Sequence, residues 1–576
     1  MSTFSSPLTF NPFQETFLSF ESCKDDLDNV FGTLNLITTS FDSAPEYDRV
    51  RFTFGLDISG SMTDKCKDGR SKMDHMKFTL TSILHYLLKH KIPVSFALFG
   101  FDDVIEPKIE TQTLEASKLT ELIQQIESCF PRNGTNIEIA LTHGLNILKA
   151  NKLTDDPTSP TEDIFFLFTD GEPTSGTRKT ASELKPIASQ IMNLPCTTFV
   201  TVGCGYSHDS ALLNHLSPKN YFFVYELETA GKIIAAMMDQ NLHKFLKSVD
   251  ISINDGEMFI WRTGKWEISG ACDDIIADGN RTFHVRTKTP ETCTAFISGI
   301  QTHSFVKGQE FECLVDSKKF DQNLSKYRYR QQTLELLSEI QNRDCYLTSQ
   351  FEIKKKLTAL LSDMKKYMDD NNLRDASLSE EAEFMNKLCD DVYIAYKTLG
   401  TSRGPQYISA RQRSQGENCT YSQVPDESDL FSLPLYPPVL GRQCTQAIND
   451  MNDGLSLPIM GRQVSLAIHQ MRRGLAVEEE EEDISRNPSD LVNCSMSCAP
   501  PKLARSKRKG GFFSPILAEG TLPEEGEEGE EEDNDASDDN IMSQHTISDS
   551  NPYENKRCAT LVREISLGTP QQAEEK

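Results

Sequence analysis

From residue 45 to residue 245 the spacing of apolar residues switches back and forth between two periods. Short apolar runs predict strands over Val50–Leu56, Val94–Phe99, Thr197–Val202 and Tyr221–Tyr225. The five consecutive apolar residues Ile164–Phe168 fit a strand covered on both faces. Between these runs, spacings of three and four predict helices over Ser71–His90, Leu114–Ser128, Asn136–Ala150, Thr180–Met192 and about Thr229–Leu246. Pro93 closes the first of them. The rhythm implies an α/β fold: a doubly wound, mostly parallel sheet with helices on both faces.

The pattern then changes. Short alternating stretches at Asp250–Ile253, Met258–Arg262, Lys265–Ile268, Thr282–Arg286, Thr294–Ile297 and Glu310–Val315 predict a small antiparallel β-sandwich over 248–315. Val30–Thr38, in the N-terminal segment 1–47, is a further strand. Its pairing with the later strands would make the α/β unit, 48–247, an insertion in the sandwich. Helical spacing over Phe320–Arg343, Phe351–Asp370 and Ser379–Leu399 predicts a three-helix bundle at 316–400. From 401 to 576 Pro, Ser, Gly and charge dominate, which predicts a mostly disordered acidic tail. Within it the eleven-residue stretch from Gly441 to Met451 aligns with that from Gly461 to Met471, a 20-residue repeat over 441–475. Two copies are too few for a solenoid. They read as a duplicated turn and helix, or as two short partner-binding helices.

Charge sharpens the division. The chain of 576 residues carries a net −27. Residues 401–576 hold 17 basic and 30 acidic residues, against 42 and 56 in 1–400, with acidic runs at Glu478–Asp483 and Glu524–Asp539. A balance this negative argues against general nucleic-acid binding. No run approaches the ~20 apolar residues of a membrane span, and Met1–Phe20 lacks the basic start and apolar stretch of a leader. Fifteen cysteines at irregular spacing read as reduced thiols in a cytoplasmic setting. The basic cluster Lys502–Lys509 is compatible with nuclear import, or with pairing to the acidic runs beside it. Ser514-Pro515 and Ser537 are candidate phosphorylation sites, and Cys494 and Cys498 are too isolated for a zinc site.

The candidate chemistry stands at strand ends. Asp57-Ile58-Ser59-Gly60-Ser61 follows the first strand, Asn133-Gly134-Thr135-Asn136 precedes a helix, and Thr169-Asp170-Gly171 follows the buried strand. In a parallel sheet the C-terminal strand ends open on one edge, where such folds hold ligands. Asp57, Ser59, Ser61, Thr135 and Asp170 can therefore converge. All five offer oxygen and none offers nitrogen or sulfur, a donor set suited to a hard cation such as Mg²⁺.

In order and context these residues resemble the metal-ion-dependent adhesion site (MIDAS) of the von Willebrand factor A domain, over about residues 48–245. The resemblance implies Mg²⁺, with Mn²⁺ an alternative, bound directly by Ser59 and Ser61. Asp57 and Asp170 would act through water or hydrogen bonds, and Thr135 would join when a partner engages. It also implies an open position for an Asp or Glu of a protein partner. Asn133 stands where glycine is common in the family, while Gly134 still lets the backbone approach closely. The sequon at Asn133 would put a glycan beside the metal threonine, which favours a non-secreted protein. Asp64 reads as a solvated charge. Gly203-Cys204-Gly205 reads as a tight loop on the same edge, because a Cys204 nucleophile would need a histidine that the sequence does not place. Tyr407–Gly416 resembles a stretch that ends the folded body of adhesion-domain proteins, and predicts an ordered strap over 400–424.

No His-Glu-x-x-His pair, nucleophile elbow or phosphate-binding loop is present in the sequence. The expectation is a non-enzymatic, metal-dependent scaffold or adhesion protein. The alternatives are a non-catalytic recruiting subunit of an ATPase or ubiquitin-related complex, and a metal-dependent hydrolase.

Overall fold

In the computed structural model, residues 11–418 are described except 26, 41–49, 156–160, 206–207, 225, 228–229, 303–307, 343–346, 375–378 and 402–403. Beyond them, 542, 545–547 and 556–567 are described. These residues belong to one compact unit. The 441–475 repeat, the acidic runs, the basic cluster and the candidate phosphorylation sites lie outside the described residues.

The first two strands, β1 (Phe13–Lys24) and β2 (Val30–Thr38), pair antiparallel with each other. The chain then builds the strands of the α/β sheet: β3 (Val50–Asp57), β4 (Val94–Phe101), β5 (Ile105–Thr113), β6 (Glu162–Thr169), β7 (Thr197–Cys204) and β8 (Tyr221–Val224). Their order is β5-β4-β3-β6-β7-β8, parallel throughout except at β5. The unexpected edge strand β5 follows β4 by a tight turn. It contains Pro107 and, apart from the buried Ile109, its residues are exposed or half-buried, as an edge tolerates.

Helices cover both faces: α1 (Lys72–Lys89), α2 (Leu119–Glu127), α3 (Ile137–Thr154), α4 (Ala181–Met192), α5 (Ser210–Leu216) and α6 (Gly231–Leu242). Ser71 and Asp74 form a reciprocal capping box that starts α1. Strand alternation divides the core. Phe52, Phe54, Phe166 and Phe168 face α1 and α6, while Phe99, Phe165, Leu167 and Phe199 face α3 and α4. Phe54 stacks on Phe166 at 4.9 Å between centroids. The last helix ends at Leu242 rather than Leu246. Leu246 and Lys244 pair with Ile275 and Ile276, so sheet pairing takes the Lys-Phe-Leu segment that helical spacing also fitted.

β9 (Lys244–Asn254), β10 (Glu257–Ile260), β11 (Lys265–Glu267), β12 (Ser269–Ala271), β13 (Ile275–Ile276), β14 (Asn280–Thr287), β15 (Thr294–Gln301), β16 (Glu310–Val315) and β17 (Lys318–Lys319) complete two further sheets. One runs β11-β10-β14-β2-β1-β17. The other runs β12-β9-β15-β16 with β13 against β9. The sandwich is antiparallel except where β17 joins β1. Because β2 pairs with β14, the α/β unit sits between two sandwich strands in the chain. Its two ends are bridged by three consecutive residues. Thr38 N–H donates to Gly279 (2.9 Å), Asp278 N–H to Thr39 (3.2 Å) and Ala277 N–H to His243 (2.9 Å).

Helices α7 (Ser325–Asn342), α8 (Leu347–Asp370) and α9 (Glu380–Thr398) are joined by α10 (Gly404–Glu417), which packs on α7 and α9. The bundle thus has a fourth helix where a strap was expected. Residues 320–324, expected to be helical, lie before α7. α10 is polar and almost wholly buried. Gln415 donates to Asp391 (2.6 Å), Arg413 to the carbonyl of Tyr221 in β8 (3.0 Å), and Gln412 to that of Trp261 (2.8 Å). One more helix, α11 (Lys556–Leu567), falls in the stretch assigned to the tail and packs on α6 and α1. Among the described residues no helix is long and apolar enough to cross a membrane.

Candidate metal centre

The sequence Asp57-Ile58-Ser59-Gly60-Ser61-Met62 divides its side chains between core and site. Ile58 and Met62 are buried in the α1 side of the core and pin the loop from below. Asp57, Ser59 and Ser61 are left for the edge. The backbone is tied on both sides: Ile58 N–H donates to Phe101 (2.9 Å), Arg132 N–H to Ile58 (2.7 Å) and Gly60 N–H to Asn133 (3.0 Å).

Asp57 and Asp170 are fully buried, Ser59 and Thr135 nearly so, and Ser61 half-buried. The Ser59 and Ser61 hydroxyl oxygens are 3.0 Å apart, and Ser61 donates to Asp170 Oδ1 at 2.7 Å. The hydroxyls of Thr135 and Ser61 lie 3.3 and 3.8 Å from where a Cβ on Gly171 would stand. Four of the five expected residues therefore crowd one small space. Asp57 does other work. Its Oδ1 accepts from Ser59 N–H (2.8 Å) and its Oδ2 from Thr169 Oγ1 (2.6 Å), so it shapes the loop that presents the serines.

Adjacent ligands of an octahedral Mg²⁺, each about 2.0–2.1 Å from the metal, stand about 2.9–3.0 Å apart. The serine oxygens, hydrogen-bonded to each other at 3.0 Å, need little movement to take adjacent positions on such a cation, so the residues fit it. Electrostatics agrees. Burial, with the charge of Asp170 adding, pushes the Asp57 carboxyl up to about 7, against the Thr169 hydrogen bond. A cation here would favour the ionised form of Asp57. No group of three or more His, Cys, Asp or Glu side chains with metal-holding geometry occurs among the described residues. A site built on hydroxyls and two carboxylates is outside that pattern.

Sequence reading missed four supporting residues. Asp102, buried beyond β4, accepts from Val104 N–H (2.8 Å), Arg132 Nε (2.7 Å) and Asn133 Nδ2 (3.0 Å), and its carbonyl accepts from Asn136 N–H (3.1 Å). Burial works against its ionised form, but these donors hold its carboxyl below the usual range. Its position one residue past a strand was the available signal. Thr169 orients Asp57. Thr174 Oγ1 accepts from Thr135 N–H at 2.8 Å, and a Cβ on Gly134 would come within 2.7 Å of that oxygen. Lys72, the first residue of α1, donates to Asp170 Oδ2 at 2.7 Å and to Asp64 Oδ2 at 3.2 Å. Asp64 is exposed as expected, and this pairing adds to that reading.

The departure at Asn133 has a local cause. Its φ is +54°, a left-handed conformation that asparagine tolerates better than most residues, and its amide reaches Asp102. Cys204 is buried, and burial raises its thiol above the ordinary value, which disfavours the reactive thiolate.

Fold and site together define a doubly wound α/β domain with hydroxyl and carboxylate side chains gathered at the C-terminal edge of its parallel strands. Residues 53–238 match the family model of the von Willebrand factor type A domain, so the chain contains such a domain. Among solved structures it is similar to a von Willebrand factor type A protein from Catenulispora acidiphila: 10% identity, 73% of this chain, 99% of that one, TM-score 0.42. It is also similar to proximal thread matrix protein 1 from the mussel byssus, with its MIDAS motif occupied by zinc: 16% identity, 35% of this chain, 47% of that one, TM-score 0.26. A third is the pilus adhesin SpaC of Lactobacillus rhamnosus GG: 12% identity, 47% of this chain, 43% of that one, TM-score 0.29. No curated protein matches the chain.

Proposed function

We propose that the chain is a non-enzymatic, divalent-metal-dependent protein-binding protein that captures an acidic residue of a partner at this edge. The observation that carries the reading is the convergence of Ser59, Ser61, Thr135 and Asp170 on one space, with the two serine oxygens hydrogen-bonded 3.0 Å apart. Ser59 and Ser61 would hold Mg²⁺ or Mn²⁺ directly, and Asp57 and Asp170 would orient them and supply negative charge. When bound, the cation supplies an open electrophilic position for a carboxylate oxygen. Thr135 stands where it can approach that position, on a loop fixed by Asp102 and Thr174. The exposed Val104 and Phe130 stand on loops tied to the Asp102 network and offer apolar contacts around such a carboxylate.

Mn²⁺ titration of the full chain, read by calorimetry and by water-proton relaxation, tests this. Saturable binding is expected in the parent and is lost in Ser59→Ala and Asp170→Ala. A glutamate-containing peptide is expected to lower the relaxivity of the loaded protein, as its carboxylate displaces bound water. Absence of Mn²⁺ binding in folded parent protein would overturn the proposal, as would binding indifferent to both substitutions.

A further inference from the structure

We propose that Lys72 is a tethered counter-ion that competes with the divalent cation for Asp170 and so sets the metal affinity of the site. The inference rests on the metal reading above and names the residue that tunes it.

The geometry gives Lys72 this place from the backbone outward. The Ser71–Asp74 capping box fixes the start of α1, and Lys72 N–H donates to the carbonyl of Asp64 at 3.0 Å. The side chain then runs past Gly205, its Cε 3.6 Å from where a Cβ there would stand, and is only 13% exposed. Its ammonium meets Asp170 Oδ2 while Ser61 occupies Oδ1, so one carboxylate is shared between the hydroxyl cluster and an internal cation. Helix energetics does not explain a lysine here. Position N1 faces the positive end of the helix dipole, where an ammonium is disfavoured. Two carboxylates stand at this edge, and Lys72 offsets the charge of one. A divalent cation must then enter against a positive charge that already engages Asp170. Asp64, exposed and 3.2 Å from the same ammonium, gives Lys72 a second carboxylate to turn to when the metal draws on the charge of Asp170.

Two substitutions move the affinity in opposite directions. Lys72→Met keeps most of the length and removes the charge, and is expected to bind Mn²⁺ about tenfold more tightly. Asp64→Asn removes the alternative partner and is expected to bind about threefold more weakly. Thermal unfolding of the full chain without and with Mn²⁺ gives a second readout. Lys72→Met is expected to melt lower without metal and to gain more on loading than the parent. A lysine that merely packs would lower the melting point without tightening metal binding. Equal or weaker binding by Lys72→Met, in a parent that binds Mn²⁺, would overturn this inference and leave the metal site standing. Loss of binding in parent and variant alike would overturn both.

Discussion

Helix α11 lies on the α/β unit by way of few residues, and Leu561 is the most buried of them. Leu561 is fully covered, with Ile565 and Cys558 beside it and Val562 half-covered, all against the α1 and α6 core. Arg557 pairs with Asp239 (2.5 Å) and Asp278 (2.6 Å), and Glu564 with Lys89 (2.6 Å) and His90 (2.9 Å). The pairs of Glu564 reach partly exposed partners and contribute about 0–1 kcal/mol each. Replacing a buried leucine by alanine costs about 2–5 kcal/mol. A 12-residue helix is marginal in isolation. Leu561→Ala should therefore release α11 rather than leave a cavity under an intact helix. Native-state hydrogen exchange is the assay. Amides of 556–567 should lose protection by about 30-fold or more, while those of β3 and α1 keep theirs. Glu564→Gln should change α11 protection only a few-fold. Retention of parental protection across 556–567 in Leu561→Ala would refute the argument. So would loss of protection in β3 in step with α11, because the helix would then be part of the global fold.

Two further predictions concern stability. At Asn133, alanine and glycine both remove the amide bonded to Asp102, but only alanine is strained at φ +54°. Asn133→Ala should be less stable than Asn133→Gly by about 1–2 kcal/mol in urea unfolding, and equal midpoints would contradict the left-handed loop. Burial, with the Asp273 charge next in weight, pushes the Glu417 carboxyl up to about 8. A group that holds its proton more tightly when folded contributes stability fully below its unfolded pKa, near 4.5, and loses it as pH rises through about 8. The urea midpoint of the parent should fall between about pH 5 and pH 8, and that of Glu417→Gln should fall less. Parallel profiles would show that Glu417 is ionised throughout.

The α/β rhythm was legible because strands covered on both faces leave continuous apolar runs such as Ile164–Phe168. The site residues were legible because parallel strands bring their C-terminal ends to one edge. What escaped reading was polar in sequence and fixed by tertiary partners. β5 carries charges and a proline, and is held only as an edge against β4. α10 reads as an ordered strap and not as a helix, since Arg411, Arg413 and Gln415 are soluble by composition, yet all three are buried with partners from β8 and α9. Lys72 carries nothing in sequence that separates it from the other lysines of α1. Its role comes from the distance between a helix start and a strand end, which no local pattern encodes. The early end of α6 belongs to the same kind. Lys-Phe-Leu satisfies two periods, and the partner at Ile275–Ile276 decides between them.

The way the α/β unit is set into the sandwich has a mechanical consequence. Its entry at Thr38–Thr39 and its exit at His243 are clasped by the same short segment, 277–279. Tension applied between handles at residues 11 and 418 runs along sandwich strands and across that clasp, short-circuiting the parallel sheet between them. The sheet that carries Ser59, Ser61 and Asp170 bears load only after the clasp has parted. In single-molecule pulling, the sandwich should yield first and the α/β unit should extend in a later, separate step. An interaction site mounted this way keeps its shape while the chain on either side of it is stretched.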